Sequence, residues 1–223
     1  MGRLLLLDVD GVVMRDPLLM QHLTCNVREY IRAKLPEAPD PAKVARILYN
    51  RYGHTGRGLK AAFGIDSSDF NDKVYDPSIM EHLACALTTK EFQEDANAIR
   101  EISRSGWDVR FFSNAPELWT QPIAEAISDS VDWRQEQLWW KPDPRAYTQY
   151  SIDDQKFFVD DSIKNLWTAN YMWNWRCIHF SPTKTKDSKF LTIGSLWELG
   201  LLTRSIDTWA EAQQQHFLDF PTE

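Results

Sequence analysis

The sequence predicts an α/β fold: a mostly parallel sheet, interrupted near its start by an all-helical insertion. Three observations predict it. Residues 4–7 are four consecutive leucines that run straight into Asp8-Val9-Asp10-Gly11, which reads as a short strand buried on both faces. From residue 90 onward helical and strand patterns alternate, as they do in units that build a parallel sheet with right-handed crossovers. Between residues 16 and 89 there is no convincing strand. The expected division is therefore 1–15 plus 90–223 for an α/β core and 16–89 for a helical unit set into it.

Each element has a local reason. Leu19, Leu23, Val27, Tyr30 and Ile31 recur at helical spacing and predict a helix over 18–34. The proline-rich segment 36–41 breaks it, and Asp40-Pro41 suits an N-cap and first turn for the next helix, which carries Val44, Ile47, Leu48 and Tyr52. Shorter helical pieces follow at 58–63, 68–74 and 78–87. A helix over 92–105 ends at Gly106, and 107–112 reads as a strand. The helix 117–128 contains Pro122, a kink or a restart. A short strand is expected near 137–140, before Lys141, and Asp143-Pro144 caps a helix over 144–150. Strands at 156–159 and 176–180 flank a helix at 163–171. A short strand near 190–193 and helices at 195–201 and 206–217 complete the chain, the last with Trp209 and Phe217 on its packed side.

Composition narrows the class. The chain has 223 residues, 43% of them hydrophobic and 13% aromatic with ten Trp, which is ample for a packed core and argues against disorder. A net charge of −7 disfavours nucleic acid or an anionic membrane as partner. The basic segment 184–189 reads as a solvated loop. Cys25, Cys85 and Cys177 are odd in number and widely spaced, as free thiols of a reducing compartment are. No apolar run reaches membrane-spanning length, and the start lacks the basic region and cleavage site of a signal peptide. The expectation is a cytoplasmic protein, monomer or homodimer.

Three expected strands end in polar groups that can work together. The first offers Asp8 and Asp10, on the same side of the strand with Val9 facing away; the second offers Ser113-Asn114, and the fourth Asp160-Asp161. Lys141 stands at the end of the short third one. In a parallel sheet these ends converge on one crevice. Four crowded carboxylates call for a cation, and Mg²⁺ suits carboxylates, water and phosphate oxygens. Ser113, nearby backbone N–H groups and Lys141 suit the remaining oxygens of a phosphate ester. One acid can attack phosphorus while the other shuttles the proton.

The ordered set D-V-D-G-V-V, F-F-S-N, W-K-P and F-V-D-D-S resembles the four signature motifs of the haloacid dehalogenase-like (HAD) hydrolase superfamily. The resemblance covers about residues 3–14 and 105–180. It implies a Rossmann-like core with a helical cap at 16–89, Asp8 as nucleophile and Asp10 as general acid/base. It further implies Ser113, Asn114 and Lys141 as phosphate binders, and Mg²⁺ on Asp8, the Asp10 carbonyl and Asp161, with Asp160 assisting directly or through water. Dehalogenases of the superfamily lack the second acid, because a halide leaving group needs no proton; Asp10 therefore favours phosphate chemistry, with a phosphomutase left open. Residues 45–80 are similar to the cap of pyrimidine 5′-nucleotidase-like members, although the first motif departs from theirs at Gly11, Val12, Val13 and Met14. A nucleoside 5′-monophosphate is the leading expected substrate. Sugar phosphates, phosphoglycolate or a catalytically idle binding role are the alternatives. Arg57 either reaches the substrate from the cap or pairs with an acid, and His54 is a turn residue or a substrate contact. The glycines at 53, 56 and 58 read as a helix–helix turn, and the Trp pairs as packing.

Overall fold

The computed structural model describes residues 3–134, 138–150, 155–183 and 189–204. Six strands form one parallel sheet in the order β3-β2-β1-β4-β5-β6, with β1 at Arg3–Leu7, β2 at Asp108–Phe111, β3 at Val131–Asp132, β4 at Gln155–Asp160, β5 at Arg176–Phe180 and β6 at Leu191–Ile193. β1 is central, which explains its composition. Leu5, Leu6 and Leu7 are fully buried, on both faces of the sheet, and each contributes about 1.5–3 kcal/mol of transfer free energy.

Five helices stand between β1 and the rest of the sheet: α1 (Pro17–Lys34), α2 (Pro41–Tyr52), α3 (Thr55–Phe63), α4 (Phe70–Val74) and α5 (Pro77–Ala86). Among the described residues this region holds no strand, as the sequence predicts. α1, α2 and α5 all begin Asp-Pro, and in each the Asp side chain accepts from a backbone N–H of the first turn. Proline at the first position fixes φ where no amide donor is needed, and the carboxylate satisfies one of the orphan donors. The insertion does not have a core of its own. Leu19, Leu23, Tyr30, Ile31, Leu48 and Leu59 pack into one continuous apolar cluster with Leu5, Leu7 and Phe111 of the sheet.

The α/β portion continues with α6 (Lys90–Arg104), α7 (Glu117–Ile127), α8 (Ile163–Trp173) and α9 (Leu196–Arg204). α7 runs through Pro122 as one helix. Two expectations are corrected. The third strand is the two-residue β3, and residues 138–140 form a turn whose Trp140 carbonyl accepts from Asp143 N at 2.9 Å. Lys141 therefore sits on a loop. The helix expected over 144–150 is a single 3₁₀ turn, Pro144–Tyr147, capped by Asp143. Residue 137, the segment 184–188 and the expected helix 206–217 lie outside the described residues.

Candidate active site

The carboxyl ends of β1, β2 and β4 open into a cavity of about 580 Å³ roofed by α1, α2 and α4. Asp8, Asp10, Ser113, Asn114, Lys141 and Asp161 all line it, so the sheet brings together the residues the sequence singles out. Asp160 lies directly behind, fully buried.

Lys141 is the electrostatic centre of the floor. Its Nζ lies 2.7 Å from Asp160 Oδ2 and 3.1 Å from Asp8 Oδ1. Asp160 is further held by Ser162 N at 2.7 Å and by Asn165 Nδ2 at 3.1 and 3.0 Å. Burial works to lower the ammonium's pKa, but the ion pairs with Asp160 and Asp8 outweigh it and the net shift is upward. Lys141 thus stays charged. Asp8 receives Val9 N on the same Oδ1 at 2.7 Å, which leaves its other oxygen directed by no hydrogen bond among the described residues.

The remaining acids feel one another. Desolvation, opposed by Lys141 and reinforced by Asp160, Asp161 and Asp10, pushes the Asp8 carboxyl well above the usual range. Desolvation also raises Asp10 to about 6, against the hydrogen bond from Trp119 and the charge of Lys141. Asp161 faces the cavity, yet desolvation and Asp160 raise it to about 7. A group near 6 exchanges protons readily at neutral pH, which suits a general acid/base.

A cation fits this floor. Carboxylate oxygens of Asp8, Asp160 and Asp161 lie within 4.8 Å of one another, an all-oxygen donor set of the kind Mg²⁺ takes. Gly11 makes room for the Asp161 carboxylate. It adopts φ +83°, and a Cβ there would come 2.3 Å from an Asp161 carboxylate oxygen.

Three contacts were not legible in the sequence. Trp119, fully buried on α7, donates Nε1–H to Asp10 Oδ1 at 2.8 Å. Asn165, in the first turn of α8, braces Asp160; a polar residue on the inward side of the helix after D-D-S was the available signal. Asn114 lines the cavity, but its amide is engaged with backbone. Nδ2 donates to the Gly53 and Lys141 carbonyls, each at 2.8 Å, and Oδ1 accepts from Lys141 N at 2.8 Å. It fixes the Lys141 loop and clasps the insertion to the sheet. That clasp needs Gly53, which caps α2 at φ +74° and where a Cβ would lie 1.9 Å from the Lys141 carbonyl oxygen.

Of the two roles open to Arg57, the structure shows pairing with an acid. It does not line the cavity; it pairs with Asp143 at 3.4 Å and lies over the Trp140 ring at 5.4 Å, so it joins the insertion to the 140–143 loop. His54 lines the cavity and caps α3, accepting from Arg57 N at 3.3 Å. Burial and the neighbouring Arg57 lower it to about 4, so it is neutral at physiological pH.

No protein-family model matches the chain, and no curated protein does either. Solved structures do match in fold. A HAD phosphatase from Thermococcus onnurineus aligns at 14% identity with a TM-score of 0.58, over 91% of this chain and 97% of that one. A 2-haloacid dehalogenase from Pseudomonas syringae pv. Tomato DC3000 aligns at 17% identity and TM-score 0.52, over 94% and 100%. A predicted phosphoglycolate phosphatase from Haemophilus somnus 129pt aligns at 14% and 0.51, over 91% and 98%. The chain has the fold of the haloacid dehalogenase-like hydrolases.

Proposed function

We propose that the protein is a Mg²⁺-dependent phosphomonoesterase that works through an aspartyl-phosphate on Asp8. The observation that carries this reading is Asp10: a second carboxyl, two residues past the nucleophile, aimed into the same cavity and held by Trp119. A dehalogenase has no use for it, since a halide leaves without a proton, whereas an alkoxide leaving group needs one. The matched folds include phosphatases and dehalogenases alike, so the choice rests on the site.

In this reading the Asp8 carboxylate attacks phosphorus while Lys141 and Ser113 bind the phosphoryl oxygens. The bond from phosphorus to the ester oxygen breaks, and protonated Asp10 gives its proton to the departing oxygen. Asp10, now a carboxylate, takes a proton from the water that attacks the aspartyl-phosphate, which releases phosphate and restores Asp8. Asp8, Asp161 and the Asp10 carbonyl would hold Mg²⁺, with Asp160 behind them. When bound, the ion supplies charge neutralisation for the phosphoryl group and for the acids around it. The helical insertion serves as a cap that shields the acyl phosphate from bulk water. Its aromatic wall of Tyr49, Phe70 and Tyr75 suits a nucleoside leaving group, with a pyrimidine 5′-monophosphate favoured. Three free cysteines and no described helix long and apolar enough to cross a membrane suit a cytoplasmic setting.

The test is phosphate release with Mg²⁺ across nucleoside monophosphates, sugar phosphates and phosphoglycolate. Preference for UMP or CMP that is lost in Asp8→Asn supports chemistry and substrate class together. Turnover of other esters keeps the mechanism and discards the nucleotide. Silence with every ester overturns the reading in favour of an idle binding protein.

A further inference from the structure

The far end of the same cavity carries cations that phosphate hydrolysis at the floor does not use. Arg28 on α1 and Lys43 and Arg46 on α2 line it together with Asp8 and Asp10. Among the described residues none of the three makes an ion pair. By contrast, the helix-surface cations Arg32, Lys90 and Arg104 each pair with an acid one turn away. α2 reads PAKVARILYNRY, with three cations and no acid. Its Lys43 and Arg46 stand at i,i+3, a like-charge spacing that costs stability unless an anion answers it. Asp40 is the acid that lines this end, and its carboxylate is committed to capping α2 through Lys43 N at 2.9 Å.

The helices also fix the depth. α1 leaves the floor, because it starts just after the Gly11 turn, and α2 returns to it, because Gly53 is clasped by Asn114. Arg28 lies about 12 Å along α1 beyond Met20, and Arg46 lies about 10 Å along α2 from Gly53. Both helices therefore present their cations at the end remote from the carboxylates. Leu23, Val27, Ala45 and Phe70 add apolar lining beside Thr24 and Tyr49.

We propose that Arg28, Lys43 and Arg46 form an anion subsite that selects phosphomonoesters whose leaving group carries a second negative group, a carboxylate or another phosphate, at its far end. The proposal rests on the phosphatase reading of the floor and leaves open what fills the middle of the cavity. Arg can meet either anion with two parallel hydrogen bonds.

Two matched pairs of probes test it: glucose 6-phosphate against 6-phosphogluconate for the carboxylate, and a nucleoside 5′-monophosphate against its 3′,5′-bisphosphate for the phosphate. We expect kcat/KM to favour the doubly anionic member of at least one pair by about ten-fold or more, the lower end of what one charge-assisted contact contributes. In an Arg28→Gln/Arg46→Gln variant the ratio should fall toward one. Equal turnover of both members in the wild type, or a ratio unchanged in the variant, overturns the subsite. The same pairs are titrated calorimetrically into Asp8→Asn with Mg²⁺, where only affinity is read. Absence of turnover combined with a ten-fold affinity preference that the two Arg changes abolish refutes the phosphatase reading and keeps the subsite; equal affinities refute the subsite.

Discussion

Charge balance among single side chains decides what each acid at the floor can do. Lys141 is shared between Asp8 and Asp160, and desolvation still raises Asp8 well above the usual carboxylate range and Asp10 and Asp161 to about 6 and 7. If Asp8 is the nucleophile, Asp8→Asn should abolish phosphate release while circular dichroism and thermal melting show an intact fold; retention of more than a few per cent of activity would exclude covalent catalysis by this residue. Asp10→Asn should slow turnover by roughly 10²–10⁴, the usual size of an acid–base contribution. Lys141→Met should cost about 3–5 kcal/mol in urea unfolding, because it strands a buried Asp160 charge. The acids were legible because they fall at strand ends within short motifs, and Lys141 was legible through W-K-P although it sits on a loop. Trp119 was not: its bond to Asp10 spans 109 positions, and in the sequence it is one apolar residue of an amphipathic helix.

At the scale of elements, the strands that sequence patterns identify are those with enough buried residues to show a pattern. β1, β2, β4 and β5 have four to six residues each, and the expected strands overlap all of them. β3 has two, too few for any periodicity, while the aromatic run 138–140 imitates a strand and instead packs as a turn, with Arg145 over the Trp139 ring and Arg57 over Trp140. The start of α2 was legible from Asp40-Pro41, whereas the same pair at Asp143-Pro144 opens only a 3₁₀ turn. α3 was read three residues short, because its cap is the imidazole of His54, a cap that no common pattern signals. The Asn114–Gly53 clasp was equally hidden, since it joins a loop after β2 to the end of α2. Gly53→Ala should strain the left-handed cap by about 1–2 kcal/mol and also collide with the Lys141 carbonyl. We expect a loss of stability greater than that strain alone and a fall in kcat, both read on the purified variant. Wild-type stability and kcat would exclude the clasp.

For the whole molecule, the raised acids tie stability to pH and to the cation. A carboxyl whose folded pKa lies above its unfolded value stabilises the fold below the unfolded value, and that contribution is lost as pH rises through the folded pKa. For Asp10 the window runs from 3.8 to about 6, and for Asp161 from 3.8 to about 7. The metal-free protein should therefore lose Tm as pH rises from 4 to 7. If these carboxylates hold Mg²⁺ as proposed, the ion should raise Tm more at pH 7.5 than at pH 5; a Tm gain independent of pH would separate the cation from these carboxylates. The strandless stretch and the alternating units after it were legible, because chain order alone separates them. The shared apolar cluster that binds the two was not, since the same leucines suit two separate cores. In the proposed chemistry Asp8 accepts a phosphoryl group. The most direct measurement is an acid quench during turnover of a simple aryl phosphate with Mg²⁺, followed by mass spectrometry of the peptides. We expect one phosphoryl group per chain, on the peptide containing Asp8 and absent from Asp8→Asn. Phosphorylation elsewhere, or release of phosphate at full rate by Asp8→Asn, would contradict it.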